Sequence, residues 1–192
     1  FEVAPGEIGV LIGRSGAGKS TLLTLLLGQK APHHGRVLIG GRVPGQRNDL
    51  ARLIAYAPQS IDLLGGGVRE NLSLAAPGAS EEAMWAALRL AQIDEAVMRA
   101  GGLAAGISAF GDGFSAGESR RLALARAFLS ERRILLLDEP TEGLDAETER
   151  RVIAAIKAYV AVGGGRLALI VSHRAEIKAI AQIVTDLDSA AS

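Results

Sequence analysis

The fold of this chain is decided by the stretch Gly13-Arg14-Ser15-Gly16-Ala17-Gly18-Lys19-Ser20, which matches the phosphate-loop pattern G-x-x-x-x-G-K-[ST] at every fixed position. Its glycines let the backbone turn tightly, so that successive N–H groups point inward and form a concave site for an anion. In such a loop Lys19 can reach the β- and γ-phosphates, and the Ser20 hydroxyl can ligate Mg²⁺. The stretch therefore predicts a chain that binds a nucleotide.

The segments on either side of the loop support this prediction. Ile8–Ile12 has the pattern of a short buried strand, and residues 21–27 have the pattern of a helix that ends at Gly28. The loop then lies at a helix N-terminus, where the helix dipole favours a phosphate. A glycine-rich turn without a ligand would match all four fixed positions in about one case in a hundred or fewer.

The composition indicates one globular α/β domain and excludes several other classes. A length of 192 residues suits a single domain with an inserted lobe. The 21 basic and 21 acidic residues cancel, which argues against a broad nucleic-acid surface, so no nucleic-acid partner is expected. The chain has no cysteine, which excludes disulfides and thiolate metal sites. Because it starts at Phe1 without an initiator Met or a signal peptide, we expect a piece of a longer polypeptide.

Strand and helix patterns alternate along the chain and predict a mostly parallel sheet. Beyond the loop, strands are expected at 36–39, 53–57, 133–137 and 167–171. A helical lobe is expected over about 68–100, with Ser80 as a helix N-cap, followed by a glycine-rich loop over 101–113. Further helices are expected at 119–129 and 147–162.

A second functional signal is the acidic pair Asp138-Glu139, which follows an apolar strand. Hydrolysis of a phosphoanhydride needs Mg²⁺ at the β- and γ-oxygens and a group that orients water for in-line attack. Asp138 suits the metal and Glu139 suits the water. Alone, the pair is equally consistent with a solvated turn. Together with Lys19 and His173, which also follow strand ends, it indicates catalysis at the edge where open α/β sheets bind ligands.

Four further motifs resemble the nucleotide-binding domain of ATP-binding-cassette (ABC) transporters, and the match covers nearly all of the chain. Gln59, after Tyr56-Ala57-Pro58, matches the glutamine loop of that family. The segment Phe114-Ser115-Ala116-Gly117-Glu118 occupies the place of the family's signature. Leu144-Asp145 fits the turn called the D-loop, and His173 fits the switch histidine. The four motifs follow one another in the order that the family shows.

The resemblance implies a P-loop NTPase fold of the RecA type. Residues 1–60 and 119–192 would form its core around the mostly parallel sheet. Residues from about 61 to 118 would form an inserted α-helical subdomain that ends in the signature. A short antiparallel β region would complete this single ABC ATPase domain.

The resemblance also implies an ATPase with assigned residues. Lys19, Glu139 and His173 would be catalytic, with Glu139 as the general base or water-orienting group and His173 on the γ-phosphate. Mg²⁺ would be held by Ser20, Gln59 and Asp138. ATP would contact Gly13, Arg14, Ser15, Gly16, Ala17, Gly18, Lys19, Ser20, Thr21, Gln59 and His173.

In the family, the signature of one subunit grips the γ-phosphate bound by another, so the resemblance implies ATP sandwiched between two ATPase domains. The signature residues Ser115, Ala116, Gly117 and Glu118 would act in this way, and Asp145 would belong to the D-loop. This signature departs from the usual Leu-Ser-Gly-Gly-Gln at Phe114, Ala116 and Glu118. The methyl group of Ala116 restricts the backbone, and Glu118 adds negative charge near the phosphates. We therefore expect a weaker composite site where this signature completes it.

The family stacks adenine on an aromatic residue well upstream of the phosphate loop, in N-terminal strands that this chain lacks. Phe1 lies too close to Gly13 to be that residue, so an isolated fragment is expected to bind ATP poorly.

Three segments resemble the exporter branch of the family. They are Val68-Arg69-Glu70-Asn71-Leu72, the run from Ser80-Glu81-Glu82 through Ala91 to the glycine-rich approach to the signature, and the shortened acidic glycine loop Gly111-Asp112-Gly113. The branch implies a small exported substrate and a transmembrane domain fused N-terminally, with this soluble domain at the cytoplasmic face of the inner membrane. The Ser-Ala-Gly-Glu signature and residues 120–127 resemble those of bacterial heterodimeric cysteine and glutathione exporters.

Two alternatives stay open at this point. A soluble ABC ATPase of the translation-factor type shares Glu at the last signature position, but it would need a second cassette and a charged linker. An importer ATPase subunit would be a separate chain with its own start. DNA-repair and chromosome ATPases are excluded because fewer than about 100 residues, without heptads, separate the phosphate loop from the signature.

Overall fold

The computed structural model describes residues 1–44, 50, 52–60, 63–107 and 113–189. Its strands are β1 (Ile8–Ile12), β2 (Ile54–Ala57), β3 (Gly66–Gly67), β4 (Gly106–Ile107), β5 (Ile134–Asp138), β6 (Leu167–Val171) and β7 (Ile183–Asp186). Five of them form a parallel sheet in the order β2-β5-β6-β1-β7, while β3 and β4 form an antiparallel pair. The predicted α/β fold with a mostly parallel sheet and a short antiparallel β region is confirmed.

The helices are α1 (Lys19–Leu26), α2 (Val68–Ser73), α3 (Glu81–Leu90), α4 (Asp94–Arg99), α5 (Ala116–Leu129), α6 (Ala146–Ala161) and α7 (Ala175–Lys178), with a 3₁₀ turn at Gly102–Ala104. Helices α2 and α3 both contact α5. The predicted cap of α3 is present, because the Ser80 hydroxyl accepts a hydrogen bond from the Ala83 N–H at 3.2 Å. Within the described part of the chain, no helix combines the length and apolar character needed to cross a bilayer.

The register of the strands brings their carboxyl ends to one edge of the sheet. Val171 in β6 lies opposite both Leu11 in β1 and Asp138 in β5. The central strands are fully buried, since Leu135, Leu137 and Val171 are at most 1% exposed. The loops that follow β1, β5 and β6 therefore emerge side by side above a rigid apolar layer.

Most predicted elements are confirmed. Strands β1 and β6 have the predicted bounds. In β2, β5 and α6, neither end lies more than one residue from its predicted position. The expected helical lobe over about 68–100 contains α2, α3 and α4. The loop expected over 101–113 contains the 3₁₀ turn and β4, and its acidic part, Gly111-Asp112, lies outside the described residues.

Two predictions are wrong. No strand forms over 36–39; only an isolated bridge joins Ile39 to Arg42 across the Gly40-Gly41 turn, because no described segment runs beside residues 36–38 to pair with them. Helix α5 begins at Ala116 rather than at Ser119. Its start is set by a capping box, in which Ser115 and Glu118 satisfy each other's main-chain N–H groups. Strand β7 was not predicted.

Candidate functional site

A cleft of about 380 Å³ opens at the carboxyl edge of the sheet. It is lined by Ser15, Gly16, Gly18, Lys19, Ser20, Thr21, Gln59, Asp138, Glu139, Glu142, Val171 and His173. The fold thus brings the phosphate loop, the acidic pair, the glutamine loop and the switch histidine to one place. Gly13, Arg14 and Ala17 belong to the same loop but do not line the cleft. Glu142 was not singled out from the sequence.

The phosphate loop leads into α1 through Gly18, which lies in the left-handed region with φ 94°. An L-residue adopts this conformation only with strain, so glycine is required by the backbone and not by space. No described side chain caps the N-terminus of α1, which leaves its first N–H groups for an anion. Lys19 Nζ donates hydrogen bonds to the carbonyl oxygens of Gly13 and Arg14, the latter at 2.8 Å. These hydrogen bonds keep the Lys19 ammonium group against the start of the phosphate loop.

The start of the loop is also held from the far end of the chain. The Arg14 N–H donates to Asp188 Oδ2 at 2.8 Å, and the Leu187 N–H donates to the Ile12 carbonyl at 3.0 Å. The segment after β7 therefore anchors the point where β1 becomes the phosphate loop.

The two carboxylates at the end of β5, Asp138 as its last residue and Glu139 directly after it, have different environments. Burial raises the pKa of Asp138, and the adjacent Glu139 and the nearby Glu142 raise it further, whereas Lys19 lowers it. Glu139 is a non-glycine residue in the left-handed region, with φ 49°. Its side chain is 13% exposed, accepts a hydrogen bond from Ser172 Oγ at 3.0 Å, and lies 3.7 Å from His173 Nε2. Glu139 is thus a carboxylate fixed by its neighbours at the rim of the cleft.

An ion pair between the buried Glu149 and the partly exposed Arg174 supports the loop that carries His173. Glu149 on α6 is 2% exposed, and both of its carboxylate oxygens accept hydrogen bonds from the Arg174 guanidinium. Thr141, fully buried, also donates to Glu149 Oε1 at 3.0 Å. The hydrogen bond from Arg174 lowers the pKa of Glu149, so this carboxylate stays ionised. This pair could not be predicted from the sequence, because an acidic residue in the first turn of a helix is also typical of a solvated face.

Gln59 reaches the cleft from the end of β2 and is held there by two charged residues. Its Nε2 donates to Glu142 Oε2 at 3.2 Å, and its carbonyl accepts from Arg120 Nε at 2.6 Å. Arg120, on α5, also forms an ion pair with Glu142 at 3.0 Å. The sequence reasoning missed both partners, which are 61 and 83 residues from Gln59 along the chain.

The signature residues Ser115, Ala116, Gly117 and Glu118 lie at the N-terminus of α5 and do not line the cleft. The Glu118 carboxylate accepts hydrogen bonds from both the N–H and the hydroxyl of Ser115 at 2.8 Å. These bonds lower the pKa of Glu118. The S-x-x-E spacing was the available signal for this cap. The charge of Glu118 is therefore bound by Ser115 within the capping box of α5. The sequence analysis did not assign this partner to Glu118.

Asp145 in the D-loop is the N-cap of α6, and its side chain accepts hydrogen bonds from the Glu147 and Thr148 N–H groups at 3.0 Å. The bonds from Thr148 and Glu147 lower its pKa to about 2. Like the signature, Asp145 does not line the cleft.

The donor set in the cleft fits a magnesium ion bound together with a nucleotide. The residues predicted to hold the ion are Ser20, Gln59 and Asp138, and they bring a hydroxyl, an amide and a carboxylate oxygen to the same cleft. Mg²⁺ prefers such hard oxygen ligands and usually takes only one or two from protein, with phosphates and waters completing its shell. In keeping with this, the described residues contain no cluster of three or more His, Asp or Glu side chains arranged to hold a metal alone.

Comparison with protein families and known proteins agrees with this geometry. The family model described as "ABC transporter" matches residues 1–142. The mycobactin import ATP-binding/permease protein IrtB of Mycolicibacterium smegmatis and the glutathione/L-cysteine transport system ATP-binding/permease protein CydC of Escherichia coli are each 38% identical over 91% of the chain. The β-(1→2)glucan export ATP-binding/permease protein NdvA of Agrobacterium fabrum is 37% identical over 98% of it.

The fold is also similar to a solved structure. A bacterial Atm1-family ABC exporter with ATP bound superposes with a TM-score of 0.88 at 31% identity, over 98% of this chain and 33% of that one. The chain spans 30% of the length of IrtB and of CydC, and 32% of NdvA. The chain therefore belongs to the ABC transporter family, in which this domain binds and hydrolyses ATP.

Proposed function

We propose that this chain is the ATPase domain of an ABC exporter, in which ATP hydrolysis drives a small substrate across a membrane. The observation that carries the proposal is the single cleft that gathers the phosphate loop, Gln59, Asp138, Glu139 and His173. The export function is supported by the similarity to NdvA, named as a glucan exporter, and to the Atm1-family exporter structure.

The geometry supports specific roles for the residues of the cleft. The open N-terminus of α1 and Lys19 bind the phosphates of ATP, since both present positive charge to the same loop. Glu139 orients the attacking water and accepts its proton, because its carboxylate is held at the cleft by Ser172 and lies near His173. His173 contacts the γ-phosphate from the neighbouring strand end.

Ser20, Gln59 and Asp138 are proposed to hold Mg²⁺. When bound, the ion would neutralise negative charge on the β- and γ-oxygens of ATP. Asp138, Glu139 and Glu142 all line one cleft, which supports this assignment. Neighbouring carboxylates repel one another, and a bound cation offsets this repulsion.

The complete site is proposed to need a second ATPase domain. Ser115, Ala116, Gly117 and Glu118 would complete the partner's cleft, since they form a helix N-terminus that is not part of the lining of their own cleft. Asp145, also outside the cleft, would lie in the same interface. On this proposal the chain divides into a RecA-like core, 1–60 and 119–192, and a helical subdomain over about 61–118.

The relatives' names support a transmembrane partner. IrtB, CydC and NdvA are each described as an ATP-binding/permease protein, and this chain matches about a third of each. We therefore propose a transmembrane domain in the same polypeptide, on the N-terminal side, with the ATPase domain at the cytoplasmic face of the membrane.

A second candidate function is import. IrtB is described as an import protein, and its identity to this chain equals that of CydC. The two directions are separated by measuring whether vesicles that contain the intact protein accumulate or release substrate with ATP supplied on the side of this domain.

The proposed role of Glu139 is tested in the intact protein that contains this chain. Glu139→Gln should bind ATP with near-normal affinity, lose about 10²-fold or more in turnover, and accumulate a nucleotide-bound dimer. Glu147→Gln is the matched control, because Glu147 is an exposed carboxylate on α6 outside the cleft. Normal hydrolysis by the Glu139 variant would contradict the assignment.

A further inference from the structure

Glu142 joins two parts of the molecule that are far apart in the sequence. Its Oε2 accepts a hydrogen bond from Gln59 Nε2 at 3.2 Å and lies 3.0 Å from Arg120 Nη1. Arg120 also donates from Nε to the main-chain carbonyl of Gln59 at 2.6 Å. The three residues form a closed ring of contacts, which fixes both the main chain and the side chain of Gln59.

The turn after β5 places Glu142 where it can do this. The Glu142 N–H donates to the Glu139 carbonyl at 3.2 Å, which closes a four-residue turn through Pro140 and Thr141. Thr141 points into the core, where it is fully buried, while Glu142 returns to the cleft. The ring is therefore built on the same turn that carries Glu139.

The ring determines which end of the Gln59 amide is free. An ionised carboxylate only accepts hydrogen bonds, so the amide must present its NH₂ group to Glu142. Its oxygen, on the other branch of the same planar group, is then left for the cleft that both side chains line. This choice has a chemical consequence, because an amide oxygen ligates a divalent cation and an amide nitrogen does not.

Arg120 is the cation that balances this arrangement. Asp138 and Glu139 bring two further carboxylates to the cleft, so Glu142 adds a third negative charge there. Arg120 approaches Glu142 from α5, two residues after the signature, with 29% of its side chain exposed. The Arg120 guanidinium thus pairs with the Glu142 carboxylate and also donates a hydrogen bond to the main-chain carbonyl of Gln59.

We infer that Glu142 and Arg120 are positioning residues that hold Gln59 with its amide oxygen toward the nucleotide cleft and so strengthen binding of the nucleotide's divalent cation. The inference rests on the proposed ATP-binding function. Neither residue needs to touch the cation or the nucleotide for this effect.

A purely electrostatic role would give a different pattern. Removing the charge of Glu142 would weaken cation binding, but removing the charge of Arg120 would leave the cleft more negative and would strengthen it. Positioning predicts that both changes weaken it, because either one opens the ring. The sign of the Arg120 effect therefore separates the two explanations.

The experiment measures binding of a fluorescent ATP analogue to the intact protein, once with Mg²⁺ and once with EDTA, and takes the ratio of the two affinities. Glu142→Gln and Arg120→Gln should each lower this ratio about two- to five-fold, the effect expected of partly exposed polar contacts. The double variant should be no worse than either single variant, because one open contact already releases the ring. Affinity in EDTA should stay unchanged, which shows that the variants are folded.

The matched controls are Glu147→Gln and Arg151→Gln, an exposed ion pair on α6 outside the cleft, which should leave the ratio unchanged. A higher ratio in Arg120→Gln, or unchanged ratios in both ring variants beside a Mg²⁺-dependent wild type, would overturn the inference alone. Absence of nucleotide binding in the wild-type protein would overturn the proposed function as well.

Discussion

The N-terminus of α1, which follows the phosphate loop, and the N-terminus of α5, which carries the signature segment, are built in opposite ways. Helix α1 begins after Gly18, has no side-chain cap, and carries the positive charge of Lys19 at its first position. Helix α5 begins after Ser115, has a complete capping box, and carries the negative charge of Glu118 in its first turn. By the rules for isolated helices, α5 has the favourable start and α1 the unfavourable one.

The difference shows what each terminus is prepared for. The first N–H groups of α1 remain without side-chain partners, and its lysine adds to the positive end of the dipole, so the terminus is prepared for an anion. At α5, an anionic side chain of the same helix already satisfies the Ser115 hydroxyl and N–H. A phosphate arriving at α5 must therefore compete with Glu118, whereas one arriving at α1 meets no such competitor among the described residues.

The largest expected effect comes from removing the charge of α1. Lys19→Met should weaken ATP binding about 10- to 100-fold, because hydrogen bonds to charged groups contribute about 1.5–3 kcal/mol. The unfolding free energy without nucleotide should change by less than about 1 kcal/mol, since a cation at a helix N-terminus opposes the dipole. Nucleotide titration and thermal melting of the same sample check both parts.

Lys157→Met is the matched control for that variant, since Lys157 is an exposed lysine on α6. It should leave ATP affinity unchanged. Equal losses of affinity in the two variants would mean that α1 has no special part in phosphate binding.

The next effect comes from opening the cap of α5. Ser115→Ala should lower the unfolding free energy by about 1 kcal/mol, the usual contribution of a serine N-cap, as measured by denaturant titration. Ser80→Ala should cost a similar amount, because Ser80 caps α3 in the same way. Only Ser115→Ala should also reduce ATP-dependent dimerisation. A loss of dimerisation in Ser80→Ala would show that lost stability, not the signature, is responsible.

The smallest effect comes from the charge of Glu118. Glu118→Gln keeps a side chain that can complete the capping box but removes the interaction with the helix dipole, so the variant should be less stable at pH 7 by about 0.3–1 kcal/mol. The pKa of Glu118 in the folded protein is lowered from its ordinary value of 4.5. The higher stability of the wild type over Glu118→Gln is therefore fully present above pH 4.5. It is lost as the pH falls through the lower pKa that Glu118 has in the folded protein. An advantage that persisted undiminished at pH 2 would contradict this account.

The sequence was sufficient for the parts of the fold that local patterns determine. Local sequence is enough to predict the buried strands β1, β5 and β6 from their apolar runs, and the phosphate loop from the spacing of its glycines. The structure contains all of these elements. The N-cap of α3 at Ser80 could be predicted from local sequence for the same reason. The start of α5 is determined just as locally, because Ser115 and Glu118 stand at the capping-box spacing, although the predicted helix began only at Ser119.

The remaining features depend on contacts between distant segments. Strand β7 has the mixed sequence Ile183-Val184-Thr185-Asp186 of an edge strand, with Val184 48% exposed, and β1 on one side is its only partner in the described sheet. Likewise, nothing near Gln59 indicates Arg120 or Glu142, and nothing near Arg174 indicates Glu149. These pairs meet only after the parallel sheet has brought several strand ends to one edge.

The backbone of Glu139 has a consequence for anyone who redesigns this domain. A left-handed glutamate costs about 1 kcal/mol or more relative to glycine, so a procedure that optimises stability alone would favour glycine or asparagine at this position. Such a design would gain thermal tolerance and discard the carboxylate that Ser172 holds at the cleft. The strained turn is therefore a position to exclude from any stabilising library made from this chain.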